Sequence, residues 1–219
     1  MQVYKIFPLL LSSYLLGSIP IAFIVARMIK GIDIRHYGSG TVSASMVFEH
    51  VDRWTILPIG ILDILKVALP THLALRWGFG QGGAAAAGLA AMIGHNWPIF
   101  LKFTGGRGIS SMLGIFLVLF PWGCVWLLAF LGIGYLLKDS APWALASMVS
   151  MPLLIGLLGG SCILYELVGA LLVIVLVKRL EANRRPLPAA GEERRRTIWM
   201  RLIYDRDMMD HYAWIHRRI

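Results

Sequence analysis

Charged residues are scarce in this chain of 219 residues. Asp, Glu, Lys and Arg make up 15% of it, and hydrophobic residues make up 58%. Soluble domains average about 25% charged residues. The apolar residues also fall in long runs, and one small soluble core cannot bury them all. The composition therefore excludes an ordinary soluble domain and predicts an integral membrane protein.

Cysteine is nearly absent as well. Cys124 and Cys162 stand alone in apolar stretches, with no C-x-x-C spacing and no histidine beside them. A disulfide framework or a structural metal site needs more closely grouped ligands. The sequence argues against both, and predicts that the two cysteines pack as small apolar residues.

Seven apolar segments follow one another along the chain. The first is expected to be retained, because the N-terminus lacks a charged region with a small-residue cleavage site. Gly17-Ser18-Ile19-Pro20 interrupts it, and such a break needs polar partners within the protein. We predict an all-α, polytopic transmembrane helical bundle of about seven segments. The segments are 6–29, 54–77, 82–101, 109–120, 124–137, 142–158 and 162–177.

Residues 109–137 are interpreted as a short helical hairpin broken near Pro121. Its halves have 12 and 14 residues. As helices they are about 18 and 21 Å long, too short to cross a ~30 Å hydrocarbon core fully. A reversal here puts the polar stretches 30–53 and 102–108 on the same side as the basic C-terminus. Because cations gather on the cytoplasmic side, we expect these loops and the C-terminus to be cytoplasmic.

Basic residues concentrate at the C-terminal end, where 11 of the 21 Lys and Arg residues lie from Lys178 onward. We divide the chain into a transmembrane domain, 1–180, and a basic cytoplasmic tail, 181–219. Such a tail typically meets anionic membrane lipid. Its aromatic residues fit an interfacial amphipathic segment, and a solvated, disordered tail is the alternative. Nucleic acid is not expected as a partner, because no nucleic-acid-reading element is visible.

Two glycine-rich loops carry the candidate chemistry. Thr104-Gly105-Gly106-Arg107-Gly108 precedes a helix, where backbone N–H groups and the helix N-terminus attract an anion. Arg107 can hold a phosphate with two nitrogens, although a tight turn with a snorkelling arginine is the alternative. Gly38-Ser39-Gly40-Thr41 follows Arg35 and has the same character, but it also fits an ordinary turn.

Three polar residues inside the apolar segments are candidates for the site. Asp63 and Lys66 are three positions apart and share one face of a helix. Charges in a membrane must pair or face a site. They form either a structural ion pair or a pair in which Asp63 orients Lys66 toward a phosphate. His95, next to Asn96, is either a general acid or base or a hydrogen-bonding contact between helices.

These motifs, in this order, resemble the bacterial membrane glycerol-3-phosphate acyltransferases that use acyl-phosphate (the PlsY family). The likeness covers about the first half of the chain, and the hydropathy is compatible to Val177. The motifs that carry it are Leu16-Gly17-Ser18-Ile19-Pro20, Asp33-Ile34-Arg35, Gly38-Ser39-Gly40, Leu62-Asp63-Ile64-Leu65-Lys66, Gly94-His95-Asn96-Trp97-Pro98 and Phe103-Thr104-Gly105-Gly106-Arg107-Gly108.

The resemblance implies an inner-membrane enzyme of phospholipid synthesis. Such enzymes transfer an acyl group from acyl-phosphate to glycerol-3-phosphate, which gives lysophosphatidic acid and inorganic phosphate, and no metal or other cofactor is expected. We expect Ser39, His95 and Arg107 to take part in catalysis. The residues expected to bind substrate phosphate are Arg35, Gly38, Gly40, Lys66, Gly105, Gly106 and Gly108.

The chain departs from the family pattern at three places. Residues 38–46 read GSGTVSASM where the family has GSGNxGATN, so both asparagines and one glycine are missing. Arg107 replaces a lysine. Leu180 stands where the third motif has a histidine, and Asn183-Arg184-Arg185 fits that motif loosely. These losses support an alternative, a non-catalytic membrane protein that binds lipid or a partner subunit in the anion pocket. A small-molecule transporter is a third hypothesis.

Overall fold

Eleven α-helices make up most of the part of the chain that the computed structural model describes, residues 2–218. That part contains no β-strand, and an isolated bridge joins Tyr37 to Arg218. The prediction of an all-α protein is confirmed. The helices are α1 (Gln2–Gly17), α2 (Ile21–Lys30), α3 (Ala44–His50), α4 (Ile56–Arg76), α5 (Gly80–Asn96), α6 (Ile109–Leu119), α7 (Pro121–Leu136), α8 (Ser140–Leu157), α9 (Cys162–Glu181), α10 (Glu192–Tyr204) and α11 (His211–His216). Short 3-10 helices cover Ile34–His36, Arg53–Thr55, Ile99–Leu101 and Ala182–Arg184.

The apolar helices match the predicted segments. Within the described residues, four stretches are long and apolar enough to cross a membrane: Ile6–Lys30, Arg53–Arg76, Gly80–Leu101 and Ser140–Leu157. The helices α6 and α7 are shorter and apolar, and α9 has 20 residues. With α1 and α2 counted together, these make the seven expected segments, and the polytopic bundle is confirmed.

The first span breaks where the sequence predicts. Helix α1 ends at Gly17, and α2 begins at Ile21 after Pro20, which has no N–H to continue the helix. The carbonyl oxygen of Ile19 lies in this break and accepts a hydrogen bond from Nζ of Lys66 at 3.0 Å. A charged side chain of α4 thus satisfies backbone that lipid cannot solvate.

The run 109–137 also breaks as predicted, at Phe120. The backbone of Phe120 is non-helical (φ −156°, ψ 76°), and Pro121 begins α7. Helix α6 packs against α4 and α5, whereas α7 packs against α8. The side chains of Phe116 and Phe120 are buried at the junction. Proline at the first helical position fits here, because its missing N–H would have no partner there.

Two apolar clusters matter for the position of the loops. The larger one contains residues of each helix from α4 through α9. Met92, Phe116 and Met151 belong to it, and each is fully buried. Between membrane helices such close packing, and not exclusion from water, supplies the attraction. A second cluster includes Ile34, Val47 and Ile59 and underlies the polar stretch before α4. Val42 of the first glycine-rich loop belongs to this cluster, so the loop packs on it.

The C-terminal segment, residues 192–218, folds back onto the bundle as α10 and α11. Helix α10 packs against α8 and α9. Its Arg201 is 1% exposed and donates to the carbonyl oxygens of Leu180, Arg185 and Pro186. In α11, Trp214 is 3% exposed. This segment is therefore part of the folded protein.

Candidate active site

A small cavity lies where the first-span break meets α4, α5 and the loop after α5. Three of the predicted site residues, Lys66, His95 and Gly105, line it. Charged and imidazole side chains here face protein, because these four parts of the chain close around them. The lining residues are Gly17, Ser18, Ile19, Pro20, Ile21, Ala22, Val42, Asp63, Lys66, His95, Pro98 and Gly105.

Asp63, Lys66 and His95 form the polar centre of this cavity. Nζ of Lys66 lies 2.8 Å from Oδ1 of Asp63, and Nδ1 of His95 lies 3.6 Å from the same oxygen. All three side chains are at least nine-tenths buried. Helix α4 places the two charges on one face, as their spacing predicts. An ion pair in a membrane bundle that also lines a cavity is typical of a functional site.

The second loop, residues 104–108, packs directly on His95. The amide of Gly106 donates to the carbonyl oxygen of His95 at 3.1 Å. A Cβ atom on Gly106 would collide with Nε2 of the His95 ring. Only glycine fits there, so the backbone of the loop lies against the imidazole.

The first loop, residues 38–43, meets the second loop at the same place. The amide of Val42 donates to the carbonyl oxygen of Gly105 at 3.2 Å. Nδ2 of Asn183 donates to the carbonyl oxygen of Gly40 at 2.9 Å and to that of Gly105 at 3.3 Å. Residues about sixty positions apart in the chain are therefore neighbours, with one asparagine joining them.

Ser39 sits within a short chain of hydroxyl groups. Its Oγ lies 2.6 Å from Oγ1 of Thr41, which lies 3.3 Å from Oγ of Ser43. The amide of Thr41 also donates to Oγ of Ser39 at 3.3 Å. The Ser39 hydroxyl is thus oriented from one side by its own loop.

Arg107 points away from the cavity, toward the C-terminal segment. Its Nε donates to Oδ2 of Asp205 at 2.8 Å, and its Nη1 donates to the carbonyl oxygen of Lys178 at 3.0 Å. Its Nη2 is buried without a hydrogen-bond partner among the described residues. A buried donor without a partner is rare in folded proteins. One nitrogen of Arg107 is therefore left without a partner among the described residues.

A second cavity, mostly apolar, begins at Arg107 and runs between α6, α8 and α9. Its apolar walls end at two arginines and one aspartate. The lining residues are Arg107, Ile109, Met112, Ala141, Ala144, Met148, Val175, Arg179 and Asp205. The lining thus combines apolar side chains with charges of both signs.

The structure holds Arg35 apart from the cavity. Its Nη2 lies 2.6 Å from Oδ2 of Asp33, and its guanidinium carbon lies 5.3 Å from the centre of the Phe23 ring. Hydrogen bonding from Arg35 lowers the pKa of the Asp33 carboxyl, although partial burial opposes it. The same bond raises the pKa of Arg35. Arg35 is therefore already paired, and it is not among the residues that line either cavity.

Further cations gather beside Arg107. None of the three guanidinium nitrogens of Arg185 has a hydrogen-bond partner in the described part of the chain. The Arg185 guanidinium lies 4.3 Å from the centre of the Trp214 ring, and that of Arg217 lies 3.6 Å from it. Burial lowers the pKa of Arg185 to about 9, Asp207 opposes the shift, and neighbouring arginines add to it. Arg185 stays charged at neutral pH, and the region is electropositive.

Sequence reasoning did not single out two residues of this region. Asn183 was visible only as part of a loosely matched motif, yet it joins the two loops. Lys178 is fully buried at the end of α9, with Nζ 3.0 Å from Oε2 of Glu181 and 4.9 Å from the centre of the Trp97 ring. In the sequence, Lys178 is visible only as a lysine at the end of an apolar run. That pattern predicts a side chain that snorkels to the head groups, not a buried one.

Membrane helices, two touching glycine-rich loops and buried cations beside them define a polytopic membrane protein with a basic, partly apolar site. Comparison with known proteins gives the family. The profile of the family described as glycerol-3-phosphate acyltransferase matches residues 7–187. A "Glycerol-3-phosphate acyltransferase 5" from Dehalococcoides mccartyi is 33% identical over 214 residues, which cover 94% of this chain and 91% of the relative. The chain belongs to the glycerol-3-phosphate acyltransferase family.

Two further comparisons agree. A glycerol-3-phosphate acyltransferase from Geobacter sulfurreducens is 35% identical over 174 residues, which cover 79% of this chain and 89% of the relative. The crystal structure of PlsY, an integral membrane glycerol 3-phosphate acyltransferase, in its glycerol 3-phosphate form matches with a TM-score of 0.73 and 26% identity. That match covers 83% of this chain and 91% of the solved one. The resemblance carried by the motifs is confirmed, and with it an acyltransferase of membrane phospholipid synthesis.

Proposed function

We propose that this protein transfers an acyl group from acyl-phosphate to a hydroxyl of glycerol-3-phosphate, releasing lysophosphatidic acid and inorganic phosphate. The observation that carries the proposal is the meeting of both glycine-rich loops beside His95 and the buried Asp63–Lys66 pair. The acceptor follows from the related PlsY structures, which are described in a glycerol 3-phosphate form and a lysophosphatidic acid form.

The acceptor phosphate is assigned to the cations and glycine-rich loops around the cavity. Lys66 supplies charge at the cavity, and Val42 of the first loop and Gly105 of the second line the same space. The free Nη2 of Arg107 provides a further donor beside the second loop. Gly38, Gly105, Gly106 and Gly108 have no room for a Cβ atom, because neighbouring protein groups occupy that space, so they set how closely the two loops pack beside the cavity. Arg35 would join them only after leaving Asp33.

We assign the donor to the second cavity because of the chemical character of its lining. Its walls of Ile109, Met112, Met148 and Val175 are apolar, and Arg107 lies at its end. Acyl-phosphate has the same division, with an apolar chain and an anionic head. Arg107 thus stands between the space for the donor and the loops assigned to the acceptor.

The reaction needs no group beyond these residues and the substrates. The acceptor hydroxyl forms a new C–O bond at the acyl carbon, the bond from that carbon to the phosphate oxygen breaks, and phosphate leaves with the electron pair. The hydroxyl proton passes to phosphate or to His95. Ser39 orients the hydroxyl, and Arg107 with the loop N–H groups stabilises the charge that develops on oxygen.

The orientation follows from charge. Both loops and the basic segment after α9 lie together, so the positive-inside rule places all of them on the cytoplasmic face of a bacterial inner membrane. The division into a transmembrane domain, 1–180, and a basic tail, 181–219, stays a prediction.

The proposal is tested with purified protein in detergent, supplied with acyl-phosphate and glycerol-3-phosphate. Phosphate release and lysophosphatidic acid formation are measured together, and an acyl thioester replaces acyl-phosphate in a parallel sample. We expect both products with acyl-phosphate and neither with the thioester. Arg107→Ala should lose activity, whereas Arg195→Ala, at an exposed arginine of α10, should keep it.

The same assay separates the alternatives. A non-catalytic protein would bind glycerol-3-phosphate and release no phosphate, and a transporter would take up solute into liposomes without acyl transfer. Neither alternative has support from the geometry or from the relatives.

A further inference from the structure

The C-terminal segment, residues 192–218, lies beyond the residues 7–187 that match the family profile. The reaction proposed above assigns it no role. Even so, it contacts both glycine-rich loops of the candidate site.

The end of this segment is hydrogen-bonded to the first loop in both directions. The amide of Gly38 donates to the carbonyl oxygen of Arg217 at 2.9 Å. Nε of Arg217 donates to the carbonyl oxygen of Gly38 at 3.0 Å. A Cβ atom on Gly38 would lie 2.5 Å from the carbonyl oxygen of Ile215, so glycine is required for this approach. The bridge between Tyr37 and Arg218 continues the contact.

A second anchor comes from α3, on the other side of the first loop. Nε2 of His50 donates to the carbonyl oxygen of Ile215 at 3.1 Å. Trp214 beside it is buried, with Arg185 and Arg217 against its ring. The segment is therefore fixed where it touches the loop.

The second loop is held by another part of the same segment. Arg107 and Asp205 form a largely buried ion pair, with side-chain exposures of 11% and 19%. Oδ1 of Asp205 has no hydrogen-bond partner within the described residues. Asp205 therefore fixes Nε of Arg107 and leaves Nη2 of that guanidinium free.

The first loop cannot fix its own conformation. Apart from the buried Val42, its residues are glycines and small hydroxyl residues, and the hydroxyl groups bond one another only between positions two apart. Ordering each residue costs about 1–2 kcal/mol in backbone entropy. A loop that places a substrate group must be held by its surroundings. Arg217 is the side chain that bonds the backbone at its first glycine.

We propose that the C-terminal segment completes the active site, with Arg217 as a positioning residue for the first loop and Asp205 as a positioning residue for Arg107. The role in catalysis rests on the proposed function. The docking of the segment on the loop does not.

The test uses the full chain and two independent measurements. Amide hydrogen exchange at Gly38 reports whether the segment holds the loop. Steady-state kinetics report KM for glycerol-3-phosphate and, separately, KM for acyl-phosphate. The variants are Arg217→Ala, Arg217→Lys and, as the matched control in the same segment, the exposed Arg195→Ala.

We expect Arg217→Ala to speed exchange at Gly38 and to raise KM for glycerol-3-phosphate roughly tenfold or more, the scale of one lost charged hydrogen bond. KM for acyl-phosphate should change little. Arg217→Lys should recover part of the effect, and Arg195→Ala should match the wild type. An equal change in both KM values, or in the control, overturns the positioning role.

The two failures are distinguishable. If the wild type transfers no acyl group but Gly38 is protected and loses protection in Arg217→Ala, the proposed function fails and the docking stands. If Gly38 exchanges equally fast in the wild type and in Arg217→Ala, the inference fails whatever the activity.

Discussion

Nε of Arg107 donates to Oδ2 of Asp205 across 2.8 Å, although 98 positions separate the two residues in the chain. The arginine belongs to a glycine-rich loop between two apolar helices, and the aspartate follows α10. Their pairing means that the charge of Arg107 is oriented by a carboxylate before any substrate arrives.

This pair should show strong coupling in a double-mutant cycle. Arg107→Ala or Asp205→Ala alone leaves a largely buried charge without its partner, which costs about 3 kcal/mol. The double variant Arg107→Ala/Asp205→Ala removes both charges and should be less destabilised than the sum of the singles. Thermal unfolding in detergent gives the three values. Strict additivity would show that the two residues do not interact.

A methyl group on Gly106 should strongly reduce activity without unfolding the protein. The added Cβ collides with Nε2 of His95, so the ring or the loop must move. We expect Gly106→Ala to lower kcat/KM by about a hundredfold, because small displacements at a reacting centre have effects of that size.

Gly82→Ala is the matched control, since a Cβ there meets nothing within 4 Å. Alanine also favours the helix more than glycine does. Equal activity in the two variants would show that contact between the second loop and His95 is unimportant.

Variants of the Asp63–Lys66 pair should distinguish its effect on stability from its effect on activity. Lys66→Met leaves Asp63 buried and unpaired, and we expect a loss of about 3–5 kcal/mol of stability. Asp63→Leu/Lys66→Met removes both charges and should recover most of that stability while remaining inactive. Unfolding and phosphate release are measured on the same preparations. Recovery of activity in the double variant would reduce the pair to a structural role.

Docking of the C-terminal segment should weaken in acid. Burial lowers the pKa of His50, and nearby His216 and Lys30 add to the shift, while the hydrogen bond to Ile215 and the charge of Glu49 oppose it. The undocked state therefore takes up a proton more readily than the docked state. The contact is at full strength above about pH 6.5, the usual pKa of histidine. It weakens as the pH falls below that value.

The weaker docking in acid is tested by hydrogen exchange of the α11 amides. The rates are measured between pH 7.5 and pH 5.5 and corrected for the intrinsic effect of pH. His50→Gln keeps a donor but cannot titrate, so its exchange should not show the acid-dependent loss. If wild type and His50→Gln respond alike, another group is responsible.

Local chemistry was enough to predict the transmembrane framework. Gly17 to Pro20 and Pro121 mark breaks because proline lacks an N–H, and the structure has helix ends at both places. The Asp63–Lys66 pair followed from helical spacing alone. Each of these features depends on residues within a few positions of one another.

The contacts around Arg107 could not be predicted from local sequence patterns. Asp205 and Asn183 bond to residues 98 and 143 positions away, and the buried Arg201 bonds to carbonyl groups 15 to 21 positions away. Their sequence surroundings look like a basic, solvated tail, and nothing local distinguishes a docked arginine from an exposed one. Only the fold shows which carbonyl groups and carboxylates they meet.

Because of the contact between Gly38 and Arg217, the first loop can be fixed only late in biosynthesis. The first loop emerges from the ribosome early, and Arg217 is translated only after all seven apolar segments. A nascent chain that is already inserted in the bilayer therefore still lacks the residues that fix this loop. Partial translation products are expected to integrate into the membrane without acquiring acyltransferase activity.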